Sequence, residues 1–354
     1  SFSSDGGSKF ISSPSISVKV WDDVLATAKQ RAELHTYASK SGLEHKCFSR
    51  PLDGDNNNSN IIERTLDAIL TEIEGGMDDG GSGANKKQYV EYWTRQEWRH
   101  IEAHADVDEN LSKEMDQNIS NIDSDSLQSK YPTTYHRSYG HRYPTYGHVL
   151  YLQVGSDVRG PTCVFPNRSS GGDLLRSVRN GNNSGEECAS DKDDAVQLVT
   201  VPAVAGRLLR FDGRDLHAVP RPSDIWMLPF VKGGAEYEPE EVWGRSVILF
   251  NVWPDDEEPP LDVPLDRPEK GKAIVCNSFT NWNEVKAAQK LLPSSESEPE
   301  SNQSVKVWLL GNERRRDHPL RTVPLLSPAE GGRDVVREAL AEKSQVTELW
   351  LRQQ

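Results

Sequence analysis

A mainly β fold with flanking helices (α+β), its centre an all-β sandwich or jelly roll, is what this 354-residue chain predicts. Two observations predict it. Between residues 88 and 253, short runs rich in Val, Leu, Tyr and Phe alternate with Gly and Pro turns, the spacing of strands in a sandwich or barrel. Ahead of them lie two segments whose apolar residues recur at helical spacing.

In order along the chain, residues 1–16 are Ser-rich and expected to be disordered. From Val18 to Ser39, positions Val20, Trp21, Val24, Leu25, Ala28, Ala32 and Leu34 approximate a helical face. A second helix is expected over Ile61–Ile73, where Ile62, Leu66, Ile69, Leu70 and Ile73 share one side and Gly75-Gly76 closes it. Strands are expected at 88–93, 149–154, 161–165, 196–201, 206–211 and 246–253. The organisation predicted is helical support at 17–87, then a core at 88–254 interrupted by polar insertions at 110–147 and 167–194. Residues 255–354 read as an acidic linker and a small C-terminal α/β extension. That extension has a strand at Val305–Leu310, a helix at Gly332–Lys343 and a strand at Val346–Leu351 that pairs with the first.

Composition narrows the function. A formal net charge of −14 argues against a nucleic-acid partner, which requires clustered Lys and Arg to displace counterions. No run of about 18 apolar residues exists, so no membrane span is expected. The four cysteines form no CxxC pair and read as buried or incidental thiols of a soluble protein in a reducing compartment, cytoplasm or an organelle lumen after removal of a leader.

The chemistry-bearing residues are His104-Ala-Asp106 and the distant His217. On a strand, residues i and i+2 point the same way, so His104 and Asp106 aim together and a histidine from another strand can complete the set. Two imidazoles and a carboxylate on one side of an octahedral ion leave the other positions open, the facial arrangement of non-haem Fe(II) sites. An HxD alone is common by chance; its ordered surroundings are more specific.

Those surroundings resemble the Fe(II)/2-oxoglutarate-dependent dioxygenases, prolyl-4-hydroxylase-like branch. The likeness is carried by Tyr92-Trp93-Thr-Arg-Gln-Glu-Trp98 leading to His104 and Asp106, by Gly147-His-Val-Leu-Tyr151-Leu-Gln153, by Gly160-Pro-Thr-Cys-Val-Phe165, and by Gly206-Arg-Leu-Leu-Arg-Phe211 with His217-Ala-Val-Pro. It spans residues 88–254. The resemblance implies a double-stranded β-helix (a cupin-like jelly roll). It implies iron on His104, Asp106 and His217, with 2-oxoglutarate and O2 as cosubstrates and no catalytic residue beyond the metal centre. It further implies hydroxylation of a peptidyl (prolyl-like) or small-molecule substrate with release of succinate and CO2. Arg245, at the head of a strong strand run, becomes the residue for the distal carboxylate of 2-oxoglutarate, because a guanidinium gives a carboxylate two parallel hydrogen bonds. Arg221 is the alternative, flanked by Pro220 and Pro222. Tyr151 supplies a second contact, or Gln153 if the strand alignment shifts.

Tyr135, Tyr139, Tyr143 and Tyr146 form an aromatic cluster between the HxD and the next core strand, read either as a substrate lid or as outer packing. The Arg and His residues among them would suit an anionic substrate. Two other functions stay open: a catalytically silent scaffold with the same fold, and a cupin-type metalloenzyme that does not use 2-oxoglutarate.

Overall fold

The computed structural model describes residues 18–50, 59–76, 87–96, 101–108, 110–111, 142–156, 158, 160–167, 195–220, 244–254, 258–263, 272–289, 304–309, 321–326 and 332–353. Two sheets lie at its centre. The first has seven strands, all antiparallel. In spatial order they are β11 (Asn283–Glu284), β1 (Lys19–Asp22), β8 (Leu208–Asp212), β5 (Tyr146–Val154), β10 (Arg245–Trp253), β3 (Gln88–Arg95) and β2 (Lys46–Arg50). The second contains β4 (Ile101–His104), β9 (Leu216–Val219), β6 (Thr162–Phe165) and β7 (Ala195–Val201) as consecutive antiparallel neighbours. From β3 to β10 the chain passes repeatedly between the two sheets, which is the jelly-roll arrangement the strand pattern predicts.

Side-chain alternation creates the layers. Val149 and Tyr151 of β5, Leu209 and Phe211 of β8, and Val247 of β10 meet Val164, Val199 and Val201 of the second sheet in one interior cluster. The intervening residues Leu150, Leu152, Leu208, Ile248 and Phe250 face the other way, onto α1 (Ala28–Lys40) and α2 (Ile61–Gly76). Each such fully buried aliphatic side chain contributes roughly 1.5–3 kcal/mol. α1 starts where Thr27 Oγ1 accepts from Gln30 N at 3.2 Å. α2 starts in a reciprocal cap: Asn60 Oδ1 accepts from Glu63 N, and Glu63 Oε2 accepts from Asn60 N. Arg50 of β2 reaches Asp67 and Glu74 and clamps α2 to the sheet.

The N-terminal helix is shorter than expected. Residues 19–22 are strand β1, with Val18 and Val20 in the interior cluster and Trp21 on the helix side. Burial on both faces makes the run continuously apolar, and such a run does not distinguish strand from helix. Arg207, 2% exposed, fixes β1 by a two-point pairing with Asp22 at 2.7 and 2.9 Å.

The C-terminal elements join the second sheet. β15 (Thr347–Gln353) runs antiparallel to β7 over six residue pairs and also borders β14 (Arg321–Leu326) and β12 (Ala288–Gln289). β13 (Ser304–Leu309) therefore reaches it through β14, and not directly as the sequence suggested. Helix α3 (Gly332–Ala341) places Val336 and Ala339 in a cluster with Phe165, Leu198, Leu216, Leu349 and Leu351, covering the outer face of the second sheet. Among the described residues no helix is long and apolar enough to cross a membrane. Cys47, Cys163 and Cys276 carry thiols and form no disulfide among the described residues; Cys188 lies outside the described residues.

Candidate metal centre

β4 and β9 are antiparallel neighbours, and His104 lies directly opposite His217. Cross-strand partners put their side chains on the same face. Ala103, Ala105, Leu216 and Ala218 take the outer face beneath α3, which turns His104, Asp106 and His217 inward. The imidazole centroids are 4.4 Å apart. Asp106 lies two residues past His104, its Oδ1 3.6 Å from His104 Nε2 and its Oδ2 3.8 Å from His217 Nε2. One ligand atom from each of the three lies within 4.8 Å of the others, and all three residues are buried. Metal–ligand bonds of about 2.1 Å place neighbouring ligands about 3 Å apart, so a slight inward movement suits a single ion.

The turn between β8 and β9 sets the height of His217. Asp215 N donates to Asp212 O, and Asp215 Oδ1 accepts from Asn167 N at 2.8 Å. Gly213 is required there because a Cβ would stand 2.1 Å from Pro144 O. His217 Nδ1 points at Asp215 O, 3.4 Å away, and Phe211 packs on its ring at 4.8 Å. Asn251 of β10 donates from Nδ2 to Asp106 Oδ2 at 3.2 Å. Asn251 was missed in the sequence reading, although a lone amide in Ser246-Val-Ile-Leu-Phe-Asn-Val-Trp253, on the same strand parity as Arg245, was the available signal.

Arg245 opens β10 and is 5% exposed. Its Nε and Nη1 are buried with no hydrogen-bond partner among the described residues. Burial lowers its pKa, and Tyr151 nearby opposes that. A buried donor without an acceptor costs about 1–3 kcal/mol, more when charged, so such a group in a folded protein calls for an explanation. Tyr151 is fully buried on the inner face of β5. Its hydroxyl is 2.7 Å from Thr162 Oγ1, and burial raises its pKa. Gln153, part-exposed, sits past a bulge at Leu152, opposite Ser246. Arg221 lies outside the described residues.

The four lid tyrosines divide. Tyr135 and Tyr139 lie outside the described residues. Tyr143 is buried in the cluster covered by α3. Tyr146 starts β5 on the helix side, with the Arg210 guanidinium 3.6 Å from its ring centroid. Arg142 donates from Nη1 to Asp108 Oδ2 at 3.1 Å, and its guanidinium lies 5.1 Å from the Trp253 ring centroid.

No protein-family model matches the chain, and no curated protein matches it. Among solved structures it is similar to HygX from Streptomyces hygroscopicus with nickel, 2-oxoglutarate and hygromycin B bound. Identity is 14% and TM-score 0.32, over 75% of this chain and 95% of that one. The iron-bound form of HygX aligns at 14% identity and TM-score 0.32 over 68% of this chain and 83% of its own. An N-substituted L-amino acid dioxygenase from Burkholderia ambifaria AMMD aligns at 10% identity and TM-score 0.23, over 67% and 99%. Likenesses this distant carry no function across.

Proposed function

We propose that the chain is an Fe(II)- and 2-oxoglutarate-dependent dioxygenase, hydroxylating a C–H bond of a peptidyl, prolyl-like, or small-molecule substrate. One observation carries this reading: a buried His/Asp/His set and a buried arginine with two unpartnered donors belong to the same two-sheet jelly roll. His104, Asp106 and His217 would hold the ion. Arg245 would take the distal carboxylate of 2-oxoglutarate, its Nε and Nη1 having no acceptor among the described residues. Tyr151 would border that carboxylate from β5.

Bound there, iron with 2-oxoglutarate and O2 supplies an oxidising centre: one oxygen atom enters the C–H bond as hydroxyl, the other enters succinate, and CO2 leaves. The chain's own contribution is positional. Asn251 fixes the rotation of the Asp106 carboxylate, and Asp215 O fixes the tautomer and tilt of His217. Val247, Val149 and Phe211 keep the interior dry around the arginine, which strengthens its hold on an anion.

A cupin-type enzyme without 2-oxoglutarate has no use for a buried guanidinium at Arg245. The test is succinate formation from 2-oxoglutarate by the Fe(II)-loaded chain. Turnover in the wild type and its loss in Asp106→Ala support the reading. Equal turnover in both rejects it.

A further inference from the structure

A cavity of about 220 Å³ opens beside Asp106, and Arg245 is not among its described lining residues. Asp106 and Asn251 form its inner wall. Arg245 and Asn251 are six residues apart on β10, ~20 Å along a strand at 3.3 Å per residue, so cosubstrate and cavity approach the metal centre from different ends. Val107, Pro260 and Leu261 give the cavity an apolar side, held in place by Asn110 Nδ2 donating to Pro260 O at 2.9 Å.

Charge distinguishes this cavity. Among the described residues its lining includes the carboxylates of Glu91, Asp106 and Asp108 and the imidazole of His45, and no lysine or arginine. Asp106 is committed to the metal in the function proposed above, and Asp108 accepts from Arg142 Nη1 and Leu111 N. Glu91 remains. Among the described residues each of its oxygens accepts one hydrogen bond, from His45 Nδ1 at 2.7 Å and from Trp253 Nε1 at 3.1 Å, whereas a carboxylate offers about four acceptor positions. The Trp93 indole also lines the cavity, with the His45 imidazole, another lining group, stacked on one of its two faces at 4.3 Å. An indole face attracts cations more strongly than any other aromatic side chain.

We propose that this cavity is the substrate subsite and that it takes an ammonium-bearing group, read by Glu91 and Trp93, with the adjoining hydrocarbon against Val107, Pro260 and Leu261. The inference rests on the dioxygenase reading for the word substrate, and on the cavity alone for the ammonium. A volume of about 220 Å³ falls below the ~300–1,000 Å³ of drug-sized sites, so one amine-bearing side chain or one small ring fills it. The formal net charge of −14 attracts such cations at long range and repels anions.

Saturation-transfer NMR tests this on the full chain, metal-free and loaded anaerobically with Fe(II). The probes are propylammonium, D-glucosamine and L-lysine amide, each beside its N-acetylated counterpart. At least one ammonium probe is expected to bind in both states while its acetylated partner does not, and Glu91→Gln should weaken it about tenfold or more, the worth of one charge-assisted hydrogen bond. The wild-type comparison of charged and acetylated probes needs no variant to fold. Failure of every ammonium probe, equal binding of an acetylated partner, or unchanged affinity in a folded Glu91→Gln protein would each overturn the proposal. Ammonium binding without Fe(II) binding would count against the dioxygenase reading alone. Fe(II) and 2-oxoglutarate binding without ammonium binding would count against this inference alone.

Discussion

His104 faces His217 across the antiparallel β4–β9 pair, whose register also sets Ile101 opposite Val219. The imidazoles are thereby held together by backbone hydrogen bonds before any ion arrives. A divalent ion that binds only the folded chain should stabilise it, by about 2.7 kcal/mol at a hundredfold excess over Kd. Thermal unfolding with and without Fe(II) or Ni(II) should show that gain in the wild type and almost none in His217→Ala. An equal gain in both would place the ion elsewhere.

Asn251 touches the metal set through Asp106 alone. Replacing it by Leu removes the donor that orients the carboxylate, and metal affinity should fall by about 10–100-fold with the fold intact. Competition against a chelator gives the number; unchanged affinity would show that Asp106 needs no such support.

Arg245 presents the opposite balance of stability and function. A buried guanidinium with two unpartnered donors destabilises the chain when no anion is bound. Arg245→Met should raise stability in the absence of 2-oxoglutarate by about 1 kcal/mol or more, while 2-oxoglutarate should stabilise only the wild type. Denaturant unfolding with and without 2-oxoglutarate measures both. A Met variant that is less stable without 2-oxoglutarate would mean the guanidinium is satisfied within the protein.

Much of this site was legible from residue order and strand parity. His104 and Asp106 share a face because they are two apart, and Arg245 was placed by the strand run it heads. Parity also held the answer for the tyrosines: Tyr146 and Tyr151 are five apart on one strand and so point to opposite faces, Tyr146 toward the helices and Tyr151 into the interior. Other features had no local signature. The alternation of Leu349, Trp350 and Leu351 marks β15 as a strand, but its pairing with β7 spans about 150 residues of sequence, and nothing in either segment encodes the partner. β9 followed an Asp-Gly-Arg-Asp turn closely enough to read as part of it. Glu91 and His45 become pocket residues only when β2 lies against β3.

His148 predicts a pH dependence separate from the chemistry. It is fully enclosed on the helix side of β5, stacked on Phe250 at 4.4 Å, with Nδ1 buried and without a hydrogen-bond partner among the described residues. Burial first, then the Arg210 charge, pushes its pKa well below the ordinary 6.5. The unfolded chain therefore takes up a proton near pH 6.5 that the folded chain refuses. Stability from this group is complete above that pH and is lost as pH falls toward the folded value. The slope approaches about 1.4 kcal/mol per pH unit. Denaturant unfolding between pH 7.5 and 5 should show that slope in the wild type and a shallower one in His148→Phe. Parallel profiles would remove His148 as its source.

The most direct test of the central assignment is anaerobic titration of the Fe(II)-loaded chain with 2-oxoglutarate, followed by visible absorption. A weak metal-to-ligand charge-transfer band should grow to saturation at one equivalent. It should be absent in Asp106→Ala and require far more 2-oxoglutarate in Arg245→Met. Fe(II) binding with no band at any 2-oxoglutarate concentration would contradict the assignment and leave a metal site without this cosubstrate.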